Sequence, residues 1–303
     1  MHDVIIIGAG PAGLTAATYL GRFRRRCLVL EDGQSRARWI PKSHNIPGFS
    51  AGISGAELLS DLGEQALEYG AMIRHGHVTS LARGDGCFEV TLGDAMFRGQ
   101  YIVLATGVKD HLPDLAAAPE AVLRSLLRFC PICDAFEAID KRIAVISDGA
   151  AGEREAAFLT TYSRHVTLLH IGEAASLPTV GLGATGIELV QTAVHNLMVE
   201  KDRVTLRTTS GALRHFDVVY VALGCTVQNS LARTLGCSCD EDGRLQVNLH
   251  RETSIPGLYA IGDVIRGLNQ VVVAAAEGAI AATDIHNKLR DCALWPRFSR
   301  KTA

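Results

Sequence analysis

DVIIIGAGPAGL, residues 3–14, gives the clearest indication of the fold of this 303-residue chain. Asp3 to Ile7 is a short run rich in β-branched residues that ends in glycine, which predicts a strand of a parallel sheet covered on both faces. Helical composition continues to Arg22, and a second apolar strand, Cys27 to Leu30, ends at Glu31. Strand, glycine turn, helix, strand and terminal acid form a complete βαβ unit of the dinucleotide-binding kind.

The glycine turn supplies the chemistry of this unit. Its glycines let the main chain approach a pyrophosphate at a helix N-terminus, where unpaired N–H groups and the helix dipole favour negative charge. An acid at the end of the second strand bonds a ribose hydroxyl in such units. The cofactor-binding residues predicted here are Gly8, Gly10, Pro11, Ala12, Gly13 and Glu31.

Composition narrows the class of protein. The length allows about two domains, and 48% hydrophobic residues are enough to build their cores. A net charge of −2 gives no overall field that would attract nucleic acid. Eight cysteines in a chain of this size, which begins without a charged and apolar leader, fit a reducing cytoplasm better than a disulfide-stapled secreted protein. Val271 to Ala282 is too short to span a bilayer and contains Glu277, so no transmembrane segment is predicted, while peripheral membrane association stays open.

Two later strands lead into loops that would close around a cofactor. Tyr101 to Leu104 precedes Ala105-Thr106-Gly107, and Gly257 to Ala260 precedes Ile261-Gly262-Asp263. In doubly wound sheets ligands bind at this carboxyl edge of the strands. Both loops are therefore predicted to belong to the same cofactor site as the glycine turn.

A second strand, turn and helix series lies between those two loops. It starts with Arg142 to Ile146 and ends with Val218 to Ala222. The predicted fold class is therefore α/β, with two Rossmann-like, three-layer dinucleotide-binding domains, the second inserted into the first. The predicted boundaries are residues 1–111 and 245–303 for the first domain and 112–244 for the second.

A CxxC pair, Cys130-Pro131-Ile132-Cys133, is followed at once by Asp134. A helix starting at such a pair stabilises a thiolate, and a buried carboxylate beside it can carry protons near neutral pH. A purely structural disulfide is one alternative. Zinc is another, but Cys237 and Cys239 offer only a CxC with no histidine at ligand spacing, so no metal is predicted. Cys237 and Cys239 lie in a polar loop, and a structural role and an exposed redox relay are the two alternatives for them.

The chain resembles the low-molecular-weight thioredoxin reductases and their relatives among flavoprotein disulfide oxidoreductases. The resemblance covers essentially the whole chain. It rests on five ordered landmarks: Gly8 to Gly13, Asn45 to Phe49, Ala105 to Gly107, Cys130 to Asp134, and Gly262-Asp263 followed by Asn269-Gln270.

The resemblance implies FAD as cofactor and assigns roles to particular residues. Glu31 and the first glycines would hold the adenosine and pyrophosphate, Asp263 would meet the ribityl or pyrophosphate region, and Asn45 and Gln270 would lie near the flavin ring. The further implied FAD contacts are Val78, Thr106, Gly107, Gly262 and Val271. Cys133 would face the flavin, Cys130 would exchange with the substrate, and Asp134 would be the general acid and base. A homodimer is implied as well.

The inserted domain departs from the family pattern. Where relatives carry G-x-G-x-x-A after the strand, this chain reads Ser147-Asp148-Gly149-Ala150-Ala151-Gly152, and Asp148 puts a negative charge near a bound phosphate. Where NADPH-using relatives carry His-Arg-Arg, this chain reads His170-Ile171-Gly172-Glu173. Arginine forks bind phosphate bidentately, so their loss predicts that NADPH is not used.

Gly181 to Gly186 matches GxGxxG and precedes a predicted helix, Ile187 to Met198, without a strand directly before it. One interpretation is a flexible loop and helix start. The other is a cradle for a second phosphate-bearing ligand, since relatives called diflavin-linked disulfide oxidoreductases, which this chain resembles, place a second FAD there.

The leading functional hypothesis is an FAD-dependent disulfide oxidoreductase in which Cys130 and Cys133 cycle between dithiol and disulfide without NADPH. The direction of electron flow is open, as is the choice between a protein and a small-molecule thiol substrate. Membrane quinone, ferredoxin and oxygen are candidate external partners. An ordinary NADPH-dependent thioredoxin reductase and a non-catalytic flavin-binding sensor or scaffold are the alternatives.

Overall fold

The computed structural model describes residues 1–173, 186–265 and 267–298. The chain forms two compact units. The first comprises Met1–Arg38, Ala56–Lys109 and Val227–Ala303, and the second comprises Trp39–Gly55 and Asp110–Thr226. Each unit contains a parallel β-sheet with helices, so the predicted α/β class with two Rossmann-like units is confirmed.

The division between the units differs from the sequence-based boundaries. Residues 227–244, which the sequence assigned to the inserted domain, group with the first unit. The reason is packing: Ala232 and Cys237 are buried in the same apolar cluster as Val78 and Leu81 of the first unit. Cys237 is therefore buried, and Cys239 is half-buried.

The first unit is built on one β-sheet and its covering helices. The strands are β1 His2–Ile7, β2 Cys27–Glu31, β3 Met72–His75, β4 Val78–Arg83, β5 Phe88–Leu92, β6 Ala95–Leu104 and β17 Leu258–Ala260, and the helices are α1 Pro11–Arg22, α2 Gly55–Glu68, α6 Ser230–Thr234 and α7 Val271–Phe298. Short 3-10 helices occupy Arg36–Trp39 and Gly262–Val264. The parallel strands have the order β3-β2-β1-β6-β17, and β4 and β5 add an antiparallel extension through β6.

Strand β1 shows why an unbroken apolar run forms the centre of this sheet. Successive side chains of a strand point to opposite faces. Val4 and Ile6 pack on the face covered by α1 and α7, whereas Ile5 and Ile7 pack on the face covered by β4 and β5. Both faces are buried, so no polar residue alternates with the apolar ones.

The second unit contains two β-sheets. The strands are β8 Leu127–Arg128, β9 Ile143–Ser147, β10 Val166–His170, β11 Glu188–Gln191, β12 Val194–Val199, β13 Val204–Thr208, β14 Leu213–Phe216 and β15 Val218–Ala222, and the helices are α3 Ala118–Leu123, α4 Pro131–Asp134 and α5 Ala150–Leu159. One sheet is parallel, in the order β11-β10-β9-β15-β8, and the other is antiparallel, in the order β12-β13-β14. A 3-10 turn, Phe136–Ala138, follows α4. Strands β7 Val108–Asp110 and β16 Cys225–Val227 form a separate ladder.

The predicted helix over Ile187 to Met198 is wrong. This segment forms the strands β11 and β12. Leu189 and Val190 pair in parallel with Leu168 and Leu169 of β10. Pairing with an existing sheet edge gives the main-chain N–H and C=O groups of this short apolar segment hydrogen-bond partners. Periodicity alone cannot assign such short apolar runs to helix or strand.

The apolar stretch Val271 to Ala282 is part of α7, which packs against α1 through the core of the first unit. In the described part of the chain, no helix has both the length and the apolar composition that crossing a bilayer requires.

Candidate functional site

The turn between β1 and α1 requires glycine at two of the predicted positions. Gly8 has a φ of 109°, and a Cβ there would lie 2.3 Å from the Ala105 carbonyl oxygen. A Cβ on Gly13 would lie 2.0 Å from the Gly8 carbonyl oxygen. Helix α1 begins at Pro11, and its N-cap residue, Gly10, makes no side-chain hydrogen bond. The N–H groups of the first turn are therefore left without a side-chain cap, as a phosphate-binding helix start requires.

Glu31 at the end of β2 is held by both of its carboxylate oxygens. Oε2 accepts a hydrogen bond of 2.7 Å from the Gly33 N–H, and Oε1 lies 2.7 Å from Nδ1 of His75. A carboxylate offers about four lone-pair sites, so capacity remains for ribose hydroxyls. Sequence reasoning missed His75, since nothing in its local pattern marks it.

The loop that contains Gly262 and Asp263 approaches the glycine turn within the first unit. A Cβ on Gly262, whose φ is 73°, would lie 3.1 Å from the Ala12 Cβ. The Gly262 N–H donates to Oε2 of Glu277 at 2.7 Å. The Asp263 carboxylate pairs with Arg36, with 3.0 Å between Oδ2 and Nη1. Sequence reasoning missed Arg36, which lies 227 residues earlier in the chain.

The other predicted FAD residues of the first unit lie at strand ends or at a helix start. Thr106 and Gly107 follow β6, and the Thr106 hydroxyl donates to the Gln228 carbonyl at 2.6 Å. Gln270 directly precedes α7, of which Val271 is the first residue. Val78 is 7% exposed, so its side chain belongs to the core of the first unit.

Asn45 is the one predicted flavin contact that groups with the second unit. Its Oδ1 accepts a hydrogen bond of 2.9 Å from the Ser43 hydroxyl, and Ser43 in turn forms a β-bridge with Ile53. The structure thus fixes the side chain within its own short segment.

The first unit as a whole fits a bound dinucleotide such as FAD. An uncapped helix start, a close main-chain turn and a positioned acid lie at the carboxyl edge of one parallel sheet. These are the elements that bind a pyrophosphate and a ribose.

The dithiol motif lies in the second unit as a formed disulfide between Cys130 and Cys133. Cys130 is the N-cap of α4, which has four residues only. A single turn carries little of a helix macrodipole, so the predicted thiolate stabilisation by a helix start has a weaker basis than the sequence suggested. Two side chains of this region face solvent: Ile132, between the two cysteines, is 52% exposed, and Phe136, two residues after Asp134, is 72% exposed.

Asp134 lies directly after the disulfide and contacts two buried residues. Its Oδ1 accepts a hydrogen bond of 2.8 Å from the Tyr220 hydroxyl and lies 3.7 Å from Nη1 of Arg128. Burial raises the pKa of Asp134 to about 6, against the opposing effects of Arg128 and of the Tyr220 hydrogen bond, while Glu137 raises it further. A carboxyl group with this pKa can both donate and accept protons near neutral pH.

In the second unit, the Ser147 side chain forms hydrogen bonds within the loop Ser147 to Gly152, where relatives carry a phosphate-binding turn. Ser147 ends β9 and is fully buried, and Gly149 is the N-cap of α5. The Ser147 hydroxyl oxygen accepts hydrogen bonds from the N–H groups of Gly149 at 3.2 Å and Gly152 at 3.1 Å, and donates to the Gly149 carbonyl at 2.9 Å. Two N–H donors that a phosphate would use are thereby occupied.

The segment after β10 does not offer the cations of a phosphate clamp. His170 is buried at the end of the strand, with Nε2 3.2 Å from the Glu173 carbonyl oxygen, and Glu173 itself is exposed. Of the GxGxxG match at Gly181 to Gly186, residues 181–185 lie outside the described residues. The segment after it is strand, so the helix on which a phosphate-cradle interpretation depended does not form.

The described cysteines outside the dithiol pair are not grouped as metal ligands. Cys27 is buried in β2, and burial raises the pKa of its thiol to about 12. Across residues 1–173, 186–265 and 267–298, no group of three or more His, Cys, Asp or Glu side chains is arranged to hold a metal ion.

The sequence of this chain is similar to those of known disulfide oxidoreductases. The sequence pattern of the family described as "Pyridine nucleotide-disulphide oxidoreductase" matches residues 2–278. The chain is 32% identical to a thioredoxin reductase of Mycolicibacterium smegmatis over 96% of this chain and 97% of that protein. It is 27% identical to the thioredoxin reductase of Bacillus subtilis over 96% of each chain.

A similar solved structure is the crystal structure of HlmI. It superposes with a TM-score of 0.90 at 27% identity and covers 100% of this chain and 98% of that one. The likeness extends over both units of the chain.

Proposed function

The chain belongs to the pyridine nucleotide-disulphide oxidoreductase family and is a thioredoxin reductase-like flavoprotein, and on that premise we propose that it exchanges electrons between FAD and the Cys130–Cys133 pair without using NADPH. The single observation that carries the proposal is the Ser147 hydroxyl, which bonds the N–H groups of Gly149 and Gly152. A pyrophosphate would have to displace this buried side chain. His170 to Glu173 adds no arginine to offset that displacement.

The first unit is the proposed FAD-binding domain, and the second is the proposed altered nucleotide-type domain that carries the dithiol. Gly8, Gly10, Gly13, Glu31 and Asp263 would hold the cofactor, with the main chain meeting its pyrophosphate and Glu31 its ribose. When bound, FAD takes up or supplies the electron pair of the dithiol–disulfide interconversion.

The thiol chemistry belongs to the chain's own residues. In the oxidative direction, a substrate thiolate attacks Sγ of Cys130, the Cys130–Cys133 bond breaks, and Cys133 leaves as a thiolate with the bonding electron pair. A second substrate thiol gives its proton to the Asp134 carboxylate and attacks the mixed disulfide, so that Cys130 leaves in turn. The substrate loses two electrons, which the cysteine pair gains. The reductive direction is the reverse of these steps.

The decisive experiment is an anaerobic titration of the purified protein with NADPH and then NADH, following flavin absorbance. We expect no bleaching by either nucleotide and full bleaching by dithionite or a dithiol. Rapid bleaching at stoichiometric NADPH would overturn the NADPH-independent proposal.

Rapid bleaching of the flavin by NADPH would support the other candidate, an ordinary NADPH-dependent thioredoxin reductase acting on a thioredoxin-type disulfide. The names of the Mycolicibacterium smegmatis and Bacillus subtilis relatives favour it. It requires nucleotide contacts other than the loop that Ser147 closes.

A second FAD in the inserted unit is a separate possibility. Its pyrophosphate would compete with Ser147 for the same N–H groups, so we expect release of a single FAD per chain. A value of two per chain would identify the second unit as a flavin site.

Replacing Cys133 separates the enzyme from a redox sensor or scaffold. Cys133→Ser should abolish turnover with a dithiol substrate, because the disulfide can no longer form. Cys87→Ser, at a half-buried free cysteine of the first unit, is the matched control and should keep full turnover. Turnover that survives in Cys133→Ser would exclude the proposed chemistry.

A homodimer and a cytoplasmic location are part of the same proposal. The family resemblance favours a homodimer, which light scattering of the purified protein tests. Cysteine usage favours a reducing cytoplasm.

A further inference from the structure

Two buried residues behind the disulfide come from neighbouring strands. Arg128 ends β8 and Tyr220 lies in the middle of β15, and the parallel register of the two strands places them side by side. Arg128 is 9% exposed and Tyr220 is fully buried. A buried arginine needs several acceptors to offset its lost hydration.

The acceptors of Arg128 lie in the turn before β8, in the dithiol turn and in β15. Nη1 of Arg128 donates to the Asp134 carbonyl oxygen at 2.6 Å and to the Tyr220 hydroxyl oxygen at 3.3 Å, while Nε donates to the Ser125 carbonyl at 3.0 Å. The same Nη1 lies 3.7 Å from Oδ1 of Asp134. One guanidinium thus holds both the main chain and the carboxylate of Asp134.

Tyr220 completes the arrangement as a donor. Burial raises the pKa of its phenol, and the neighbouring Asp134 raises it further, so the hydroxyl stays protonated. Its hydrogen bond to Oδ1 of Asp134 stabilises the carboxylate form of that residue. The phenol therefore acts on the Asp134 carboxylate.

We propose that Arg128 and Tyr220 are positioning residues, which hold the Asp134 carboxylate beside the Cys130–Cys133 pair and set the pH range in which it exchanges protons with thiols. This inference rests on the proposed thiol–disulfide exchange at that pair. Neither residue touches the substrate; both act through Asp134.

The other charged groups near Asp134 do not reproduce this effect. Glu137 in the following turn raises the pKa of Asp134, the opposite of what Arg128 and Tyr220 do. Helix α5, which packs against α4, carries Glu153, Arg154 and Glu155. Removal of either positioning residue should therefore shift the titration of Asp134 upward.

The test follows reduction of the disulfide itself. The oxidised full-length flavoprotein is mixed anaerobically with dithiothreitol over a range from about pH 5 to about pH 9, quenched with acid, alkylated, and the modified Cys130 and Cys133 are counted by mass spectrometry. Rates are divided by the thiolate fraction of dithiothreitol, so that the remaining pH dependence belongs to the protein. This readout requires neither the physiological substrate nor an external electron acceptor.

We expect the wild-type rate to rise with a midpoint at about pH 6, as Asp134 becomes a carboxylate. Tyr220→Phe should move the midpoint upward by about one pH unit, the shift that loss of one hydrogen bond to a charged group produces. At pH 6 this variant should be about fivefold slower, and at high pH it should approach the wild-type rate. Asp134→Asn should lose the transition altogether.

Two further variants separate positioning from folding. Tyr259→Phe removes a hydrogen bond from a buried tyrosine to a carboxylate, Asp284, in the first unit, and should leave the midpoint unchanged. Arg128→Met should raise the midpoint, whereas Arg128→Lys, which keeps the positive charge, should restore it in part. If Tyr220→Phe misfolds, the two Arg128 variants decide.

The outcomes separate the two proposals. A disulfide that resists dithiothreitol at every pH in the wild type would contradict the proposed function. A disulfide that is reduced with the same midpoint in wild type, Tyr220→Phe and Arg128→Met would leave that function standing and overturn the positioning roles.

Discussion

At the scale of single residues, Ser147 and Gly152 form a complementary pair. A Cβ on Gly152 would lie 2.1 Å from the Cβ of Ser147, so the serine is accommodated only because glycine stands at position 152. The family pattern quoted for relatives has the reverse arrangement, glycine first and alanine last. Serine at position 147 and glycine at position 152 are therefore sterically coupled.

This pairing gives a prediction for a double-mutant cycle. Gly152→Ala alone should lower the free energy of unfolding by about 1–3 kcal/mol because of overpacking. Adding Ser147→Gly should remove the clash and recover most of that loss, although the hydrogen bonds of the serine are lost as well. Chemical denaturation of the four proteins measures the coupling, and strictly additive effects would contradict it.

At the scale of elements, the packing of α7 on α1 connects the core of the first unit to its glycine turn. Gly278 of α7 lies against the first turns of α1: a Cβ there would lie 2.5 Å from the Ala12 carbonyl oxygen and 3.0 Å from the Ala16 nitrogen. Main-chain atoms of a helix cannot yield as a flexible side chain can. The two helices must separate if position 278 carries a side chain.

Gly278→Ala should therefore lower the free energy of unfolding by about 1–3 kcal/mol and weaken retention of FAD, because Ala12 belongs to the glycine turn. Gly63→Ala in α2 is the control: no neighbour lies within 4 Å of its Cβ. That variant should be unchanged or about 0.5–1 kcal/mol more stable, since alanine favours helix. Thermal unfolding and the flavin content after gel filtration test both. Equal behaviour of the two variants would refute the packing argument.

At the scale of the whole molecule, two carboxyl groups of the second unit couple stability to pH. Burial raises the pKa of Glu155 from 4.5 to about 7, opposed only by Arg154, and raises that of Asp134 from 3.8 to about 6. Among the described residues, the buried Oε2 of Glu155 has no hydrogen-bond partner. In both cases the folded pKa exceeds the unfolded one, so the folded protein binds more protons and loses stability as the pH rises.

The free energy of unfolding should fall between about pH 4 and about pH 7 and level off above that range. Glu155→Gln should raise the free energy of unfolding at pH 8 by about 1 kcal/mol, a value reduced for partial solvent exposure, and should have little effect at pH 4. Glu153→Gln removes the same charge from the same helix and is the control. Urea unfolding at the two pH values measures the difference, and a gain of equal size at both would exclude titration of Glu155 as its cause.

The fold class, the first βαβ unit, its glycine turn with Glu31, and the CxxC pair with Asp134 could all be predicted from the amino-acid sequence. These features are local: a β-branched run, close glycine spacing and adjacent cysteines each fix the main chain or the chemistry within a few residues. The loss of the phosphate-clamping arginines could also be read from one short segment.

The residues that surround this chemistry could be identified only from the packing of distant segments. Arg128 and Tyr220 are 92 residues apart, and the register of β8 against β15 brings them together. The segment Ile187 to Met198 became strand because a sheet edge was available to it. Such contacts depend on how separate strands align and pack, which the pattern of a single segment does not encode.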